Sequence, residues 1–211
     1  LKSETLEYFN IKNEIKAIPN FIDMSLYQQE DDMKLRNRFA KKEEFILTHI
    51  SNFRKVKRVE DVIKIFNKVH KEVPAKLLMI GDGPERLKAE QLCRKLGICD
   101  KVKFLGKLKV IEKMLSISDV FILPSYYEAL GCVYMESWAT NTPFIAVKGQ
   151  GITELIPSEL KEKLVIGKSD VNQLIEKIDF LMKNPMILNF NQKYNIDNTI
   201  SEFLKNKIFH D

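Results

Sequence analysis

A doubly wound α/β fold, one parallel sheet with helices on both faces, is predicted by three observations. Short apolar runs alternate with longer stretches of helical periodicity. The apolar runs are nearly continuous, as strands buried on both faces require. The charged and glycine-bearing loops follow strands, so a parallel sheet gathers them on its carboxyl edge, where open α/β sheets bind ligands.

Leu1 to Ile15 is charged and amphipathic, with Leu6, Tyr8 and Phe9 forming one face of a short helix. Ile18-Pro19-Asn20-Phe21-Ile22-Asp23 reads as a linker, because Pro19 removes a backbone donor and Asn20 favours a turn. Gln28 to Lys42 is polar, with a helical patch around Met33, Leu35 and Phe39. The first strand, Phe45 to Ile50, runs into the basic loop Ser51 to Arg58. From Val59 to Glu72, Val59, Val62, Ile63, Phe66 and Val69 recur at helical spacing. Lys76 to Ile80 is a strand ending in Gly81-Asp82-Gly83-Pro84, and Pro84 suits the first turn of a helix that stops at Gly97. Val102 to Leu105 is a strand closed by Gly106-Lys107, and Ile111 to Ile117 is a short helix.

The stretch from Val120 to Val147 organises the rest. Val120 to Leu123 is a buried strand, stopped by Pro124-Ser125. Glu128 sits in the following loop, Gly131 opens a helix, and Glu136 falls in its early turns. Asn141-Thr142-Pro143 ends that helix and feeds the strand Phe144 to Val147. The helix start offers backbone N–H groups and a positive dipole end, which suits a phosphate. Beyond Gly149-Gln150-Gly151, a last short strand is expected at Leu164 to Ile166. Asp170 caps a helix to Met182, Asn184-Pro185 breaks it, and one or two helices follow between Met186 and Phe209. Residues 1–17 thus form an N-terminal linker segment, 18–185 the main domain and 186–211 a helical tail.

Composition narrows the function without naming it. The 211 residues are 45% apolar, enough for a real core, and the net charge of +5 suits a polyanionic ligand without demanding nucleic acid. Basic residues are scattered and no aromatic stacking series accompanies them, which argues against a nucleic-acid binder. Cys93, Cys99 and Cys132 lack Cys-x-x-Cys spacing and read as reduced thiols of a cytoplasmic protein. His49, His70 and His210 do not cluster, so no metal site is expected. No apolar run approaches the ~20 residues of a membrane span, and no stretch reads as a signal peptide.

Chemistry is expected to gather among Arg54, Lys57, Asp82, Glu128 and Glu136, all at strand ends or just beyond. Each has a plainer reading. The basic loop could be a solvated surface, Gly81 to Pro84 a tight turn without the spacing of a dinucleotide fingerprint, and the two glutamates surface acids. Tyr134 and Trp138 read as packing groups. Gly149 and Gly151 are turn residues or allow close approach of backbone to a ligand.

Taken together, these residues resemble a known family, the retaining glycosyltransferases of the GT-B fold in the large group called family 4. The likeness is to the C-terminal, Rossmann-like donor-binding domain. It is carried by Pro19 to Asp23, the basic loop, Gly81 to Pro84, Phe104-Leu105-Gly106, Ser118 to Ser125, the Glu128-x7-Glu136 pair and Gly149 to Glu154, which occur in family order. The resemblance implies that Arg54 and Lys57 bind the donor diphosphate and stabilise it as it leaves. It implies that Glu136 holds the ribose hydroxyls and Glu128 the donor sugar. Leu130, Gly131 and Cys132 would contact phosphate or sugar through the backbone, Asp82 would join the donor site, and Gly106 and Lys107 would line the base pocket. The donor is expected to be a UDP-sugar, with no metal required, because cations and helix-end amides can meet the leaving charge.

Two positions depart from the family. Asn52 stands where many members carry Arg, and Arg54 is expected to substitute; Asn141 replaces a glycine, in a place that tolerates a left-handed residue. Ser51 to Val59 is similar to transferases that join N-acetylglucosamine to malate in bacillithiol synthesis. Gly131 to Glu136 and Gly149 to Ile152 look more like transferases of capsule and surface polysaccharide, the reading preferred here because it needs no particular acceptor. An epimerase of the same fold and a non-catalytic binding module are the rivals. The resemblance also leads us to expect a piece that lacks the acceptor domain, binds a nucleotide sugar and does not transfer it. The full-length protein could then associate peripherally with a membrane.

Overall fold

The computed structural model describes residues 2–12, 15–18, 20–27, 32–168 and 170–205. Pro19, the start of the polar stretch at Gln28, and the tail beyond Lys205 lie outside them. Six strands are present: β1 (Phe45–Ile50), β2 (Ala75–Ile80), β3 (Val102–Gly106), β4 (Val120–Ile122), β5 (Phe144–Val147) and β6 (Val165–Ile166). They form one sheet in the order β3-β2-β1-β4-β5-β6, with every pair parallel. The chain first builds outward from β1 to β3, then crosses back and builds outward again from β4. The predicted doubly wound sheet is therefore present, and its switch point lies between β1 and β4.

The helices are α1 (Lys2–Tyr8), α2 (Met33–Arg36), α3 (Val59–Glu72), α4 (Arg86–Lys95), α5 (Glu112–Ser116), α6 (Cys132–Ala139), α7 (Ile152–Leu155), α8 (Ser158–Leu164), α9 (Val171–Lys183) and α10 (Ile196–Lys205). α3 packs against α4 and α9, and α5 packs against α6. Alternation along the strands serves both faces. Ile46, Leu78 and Ile80 point to one side and meet Met114 and Ile117 of the α5 region. The five predicted apolar positions of α3 are all buried, along with Ile65.

Several boundaries differ from expectation for local reasons. Pro84 lies in the turn, not the first helical turn: α4 starts two residues later, with Glu85 as its N-cap. The helical patch around Met33 shrinks to the single turn of α2, which Asp32 caps by accepting the Leu35 N–H at 2.8 Å. Helices α7 and α8 were not expected. Each spans only one or two turns on either side of Pro157, too short for a periodic signal. Among the described residues the tail holds one helix, α10, after a 3-10 turn at Gln192–Tyr194. Asn141 does adopt the left-handed conformation, at φ 59. Its N–H and that of Thr142 close a Schellman cap on Trp138 and Ser137, and its side chain accepts the Leu188 N–H at 2.6 Å.

By backbone proximity the chain divides into two compact units, Met24–Phe190 and Leu1–Asp23 with Asn191–Asp211. The first contains the whole sheet. In the second, Ile22 pairs with the tail through hydrogen bonds to Tyr194 and Ile196. Lys16 meets Glu202 at 3.0 Å in the same unit.

Candidate functional site

Because β1 and β4 are neighbours, the loops that leave their carboxyl ends meet, although 71 positions separate Lys57 from Glu128. The Lys57 ammonium donates to a Glu128 carboxylate oxygen at 2.5 Å, and their side chains are only 12% and 14% exposed. Two opposite charges held out of water at the switch point of a sheet are costly unless each has a partner. Here each is the other's partner, and both point to the edge where this fold binds ligands.

The basic loop is held from below. Phe53 is fully buried at φ 38 and lies 5.9 Å from the His49 ring. The Phe53 N–H donates to the Ser51 hydroxyl, whose oxygen lies 2.8 Å from His49 Nε2, while His49 Nδ1 lies 3.0 Å from the Ile122 carbonyl. Nδ1 is therefore the protonated nitrogen, and Nε2 accepts from Ser51. Glycine at 81 and 83 lets the next turn press against this loop. A Cβ there would stand 1.8 Å from the Ser51 carbonyl oxygen and 2.1 Å from that of Asn52. Arg58, left-handed at φ 54, starts α3, pairs with Asp61 and lies over the Tyr126 ring at 4.8 Å. The Tyr126 N–H donates to Val56, joining the two loops by backbone as well as by the ion pair.

The Glu128 loop is held from the other side. Gln150 is buried; its Nε2 donates to the Ser125 carbonyl at 3.2 Å, and its Oε1 lies 2.9 Å from the Tyr134 hydroxyl. Gly151 serves backbone-to-backbone contact, since a Cβ there would lie 1.8 Å from the Ala129 carbonyl oxygen, whereas Gly149, at φ 87, is a left-handed turn residue beside the Lys168 side chain. Tyr134 and Trp138 are packing groups as expected, and Tyr134 adds a polar tie to the loop. Gly131, at φ 73, caps α6 beneath Glu128 and supplies no side-chain hydrogen bond of its own.

Arg54 is exposed and starts the 3-10 turn that ends at Lys57. Leu130, Gly131 and Cys132 run from the Glu128 loop into α6. Glu136 is half-buried on α6, and burial first, then the nearby Glu112 carboxylate, push its pKa above the usual range. The Tyr27 hydroxyl, at a position without a recognisable motif, favours the charged form of Glu136 and partly offsets that rise. Asp82 caps its own turn through the Gly83 N–H at 2.8 Å and stands 3.8 Å from Arg86. Gly106 ends β3 beside Arg86, and Lys107 is exposed after it. No group of three or more His, Cys, Asp or Glu converges on one point among the described residues.

His49 makes the loop's support sensitive to acid. Burial pushes its pKa down to about 4 from 6.5. Above pH 6.5 both folded and unfolded forms are neutral; below it the unfolded chain takes up the proton first, so stability falls as pH falls toward 4. The loss at pH 5 should be about 2 kcal/mol. Urea unfolding at both pH values should show it, and His49→Gln should remove most of the slope. His70, also lowered by burial, leaves a remainder of the same sign.

Residues 31–199 match the family model described as Glycosyl transferases group 1. The chain belongs to the group 1 glycosyl transferases. It is 43% identical over 157 residues to N-acetyl-alpha-D-glucosaminyl L-malate synthase of Bacillus anthracis, covering 74% of this chain and 41% of that protein. It is 32% identical over 127 residues to the lipopolysaccharide core biosynthesis glycosyltransferase LpsD of Rhizobium meliloti, covering 60% of this chain and 36% of that one. The chain thus spans less than half the length of these two relatives. Among solved structures, HepE of Anabaena in complex with UDP and glucose superposes with a TM-score of 0.80 at 19% identity, covering 92% of this chain and 57% of that one. Sucrose-phosphate synthase of Thermosynechococcus elongatus gives 0.81 at 22% identity, covering 99% and 56%. These last two likenesses place the group 1 member in the GT-B fold.

Proposed function

We propose that this chain is the donor-binding half of a retaining transferase that moves a sugar from a nucleotide to an acceptor held by a second domain. The observation that carries the reading is the Lys57–Glu128 pair at the β1–β4 switch point. A sugar leaving a diphosphate builds negative charge on the leaving oxygen and positive charge on its ring. Lys57 stabilises the first, with Arg54 and the α6 N-terminus beside it; Glu128 orients the sugar hydroxyls and faces the ring. Each member of the pair exchanges its partner for a group on the donor, so neither charge is stranded in either state. The positive charge needed at the diphosphate comes from the chain itself, and the reading calls for no metal.

UDP-N-acetylglucosamine is the first donor to try. The 43% identity to a protein named as an N-acetyl-alpha-D-glucosaminyl synthase supports it, as does the likeness of the fold to a UDP complex. Transfer onto malate and transfer onto a polysaccharide both fit such a donor half, since the acceptor is bound elsewhere. A nucleotide-sugar substrate and unbridged thiols suit a cytoplasmic setting. Among the described residues no helix is long and apolar enough to cross a membrane. Titration calorimetry of this chain should show saturable binding of UDP and UDP-N-acetylglucosamine. Heats no larger than dilution for UDP, GDP and their sugars would sink the proposal.

A further inference from the structure

The loop that leaves β4 is clamped along its backbone. The Ser125 carbonyl accepts from the buried Gln150 side chain at 3.2 Å, the Tyr126 N–H donates to the Val56 carbonyl at 2.9 Å, and the Glu128 carbonyl accepts from the Gly151 N–H at 3.3 Å. Between these ties the Tyr126 and Tyr127 side chains stand out of the fold, 60% and 69% exposed. The Tyr126 ring is also fixed in direction. The Arg58 guanidinium lies over it at 4.8 Å, and Asp61 holds that guanidinium at 2.8 Å. A single exposed tyrosine is ordinary on a protein surface. Two in succession, on a clamped crest that runs straight into Glu128, make a preorganised surface beside the proposed donor sugar.

We propose that Tyr126 and Tyr127 form a stacking platform for a saccharide acceptor, which makes the reaction an addition of sugar to sugar. The proposal rests on the donor reading above, in which Glu128 orients the sugar to be moved. In that transfer an acceptor hydroxyl oxygen bonds to the anomeric carbon as the bond from that carbon to the diphosphate breaks. The hydroxyl proton passes to the leaving phosphate oxygen. The acceptor must therefore lie within reach of the sugar, beside Glu128. A pyranose presents a face of C–H groups that packs on the negative face of an aromatic ring, and its hydroxyls meet the phenol O–H. A small dicarboxylate such as malate needs free cations instead. The cations nearest the crest are already neutralised, Arg58 by Asp61 and Lys57 by Glu128. Charge and shape at the crest thus favour a neutral ring over a small dianion.

Carbon-13 NMR of the tyrosine rings, in the chain saturated with UDP-N-acetylglucosamine, tests the platform with methyl β-glucoside, methyl N-acetyl-β-glucosaminide and L-malate. At least one glycoside should shift the Tyr126 and Tyr127 signals saturably, and malate should leave them in place. Tyr127→Ala should weaken that glycoside about tenfold, the worth of one stacked ring, and Tyr127→Trp should restore it. Urea unfolding and UDP affinity should be the same in all three proteins, since the ring is exposed and lies outside the donor contacts. Still rings with both glycosides overturn the platform, as do equal glycoside affinity in Tyr127→Ala and a shift with malate alone. Those failures leave UDP binding intact. Absence of UDP binding by the wild-type chain instead overturns the donor reading, and the platform with it.

Discussion

Gly151→Ala is expected to weaken nucleotide binding about a hundredfold and to lower stability by about 3 kcal/mol, the upper end of ordinary overpacking. The new methyl would stand 1.8 Å from the Ala129 carbonyl oxygen and 3.2 Å from the Leu130 Cα. Both contacts are backbone, so no side chain can turn aside. Gly151 itself has φ −58, which alanine adopts freely, and the penalty is therefore one of space alone. Relief requires the Glu128 loop to move by more than an ångström. Displacement on that scale costs about 10²-fold when a group must meet its ligand in register. Gly97→Ala is the matched control. Its φ of +69 strains an alanine, but nothing lies within 4 Å of the added methyl. It should cost about 1 kcal/mol and leave UDP binding unchanged. Urea unfolding and calorimetry on both variants read the two effects separately. Full nucleotide affinity in Gly151→Ala would show that the Glu128 loop does not depend on this contact.

How much of this was legible beforehand follows from what each contact depends on. Strands such as Phe144–Val147 announce themselves because burial on both faces demands an unbroken apolar run, and all four residues are buried. The α3 helix was equally legible from its apolar spacing. β1 carries Thr48 and His49, which interrupt its apolar run, yet both are fully buried. Their partners, the Ser118 hydroxyl and the Ile122 carbonyl, lie some 70 residues on, at separations of 70 and 73. Such a residue declares itself polar without declaring who satisfies it. The same limit applies to the site. Sequence placed Lys57 and Glu128 at strand ends, but their 2.5 Å contact follows from β1 and β4 being neighbours, which no local pattern encodes. Tyr27 was missed because it sits in a polar stretch with no motif, and only the fold brings it to Glu136. Gln150 was visible as one letter of a glycine turn, and its buried amide emerges only once Ser125 and Tyr134 surround it.

Lys57→Ala should produce the largest functional loss, through folding and binding together. Removing the ammonium strands the Glu128 carboxylate, 14% exposed, without its partner. Breaking such a pair should destabilise the chain by about 2 kcal/mol, below the range for full burial because both groups keep some access to water. The same change removes the cation nearest the proposed diphosphate. UDP affinity should fall at least about tenfold, and turnover by the full-length transferase by about 10²–10³-fold, the usual cost of one group that stabilises developing charge. A second substitution distinguishes the causes. In Lys57→Ala/Glu128→Gln the stranded charge becomes a neutral amide, so most of the lost stability should return. UDP affinity should stay low, since the diphosphate still lacks its cation. Recovery of UDP binding along with stability would mean that Lys57 serves only to neutralise Glu128, and the diphosphate would then have to be held by Arg54 and α6.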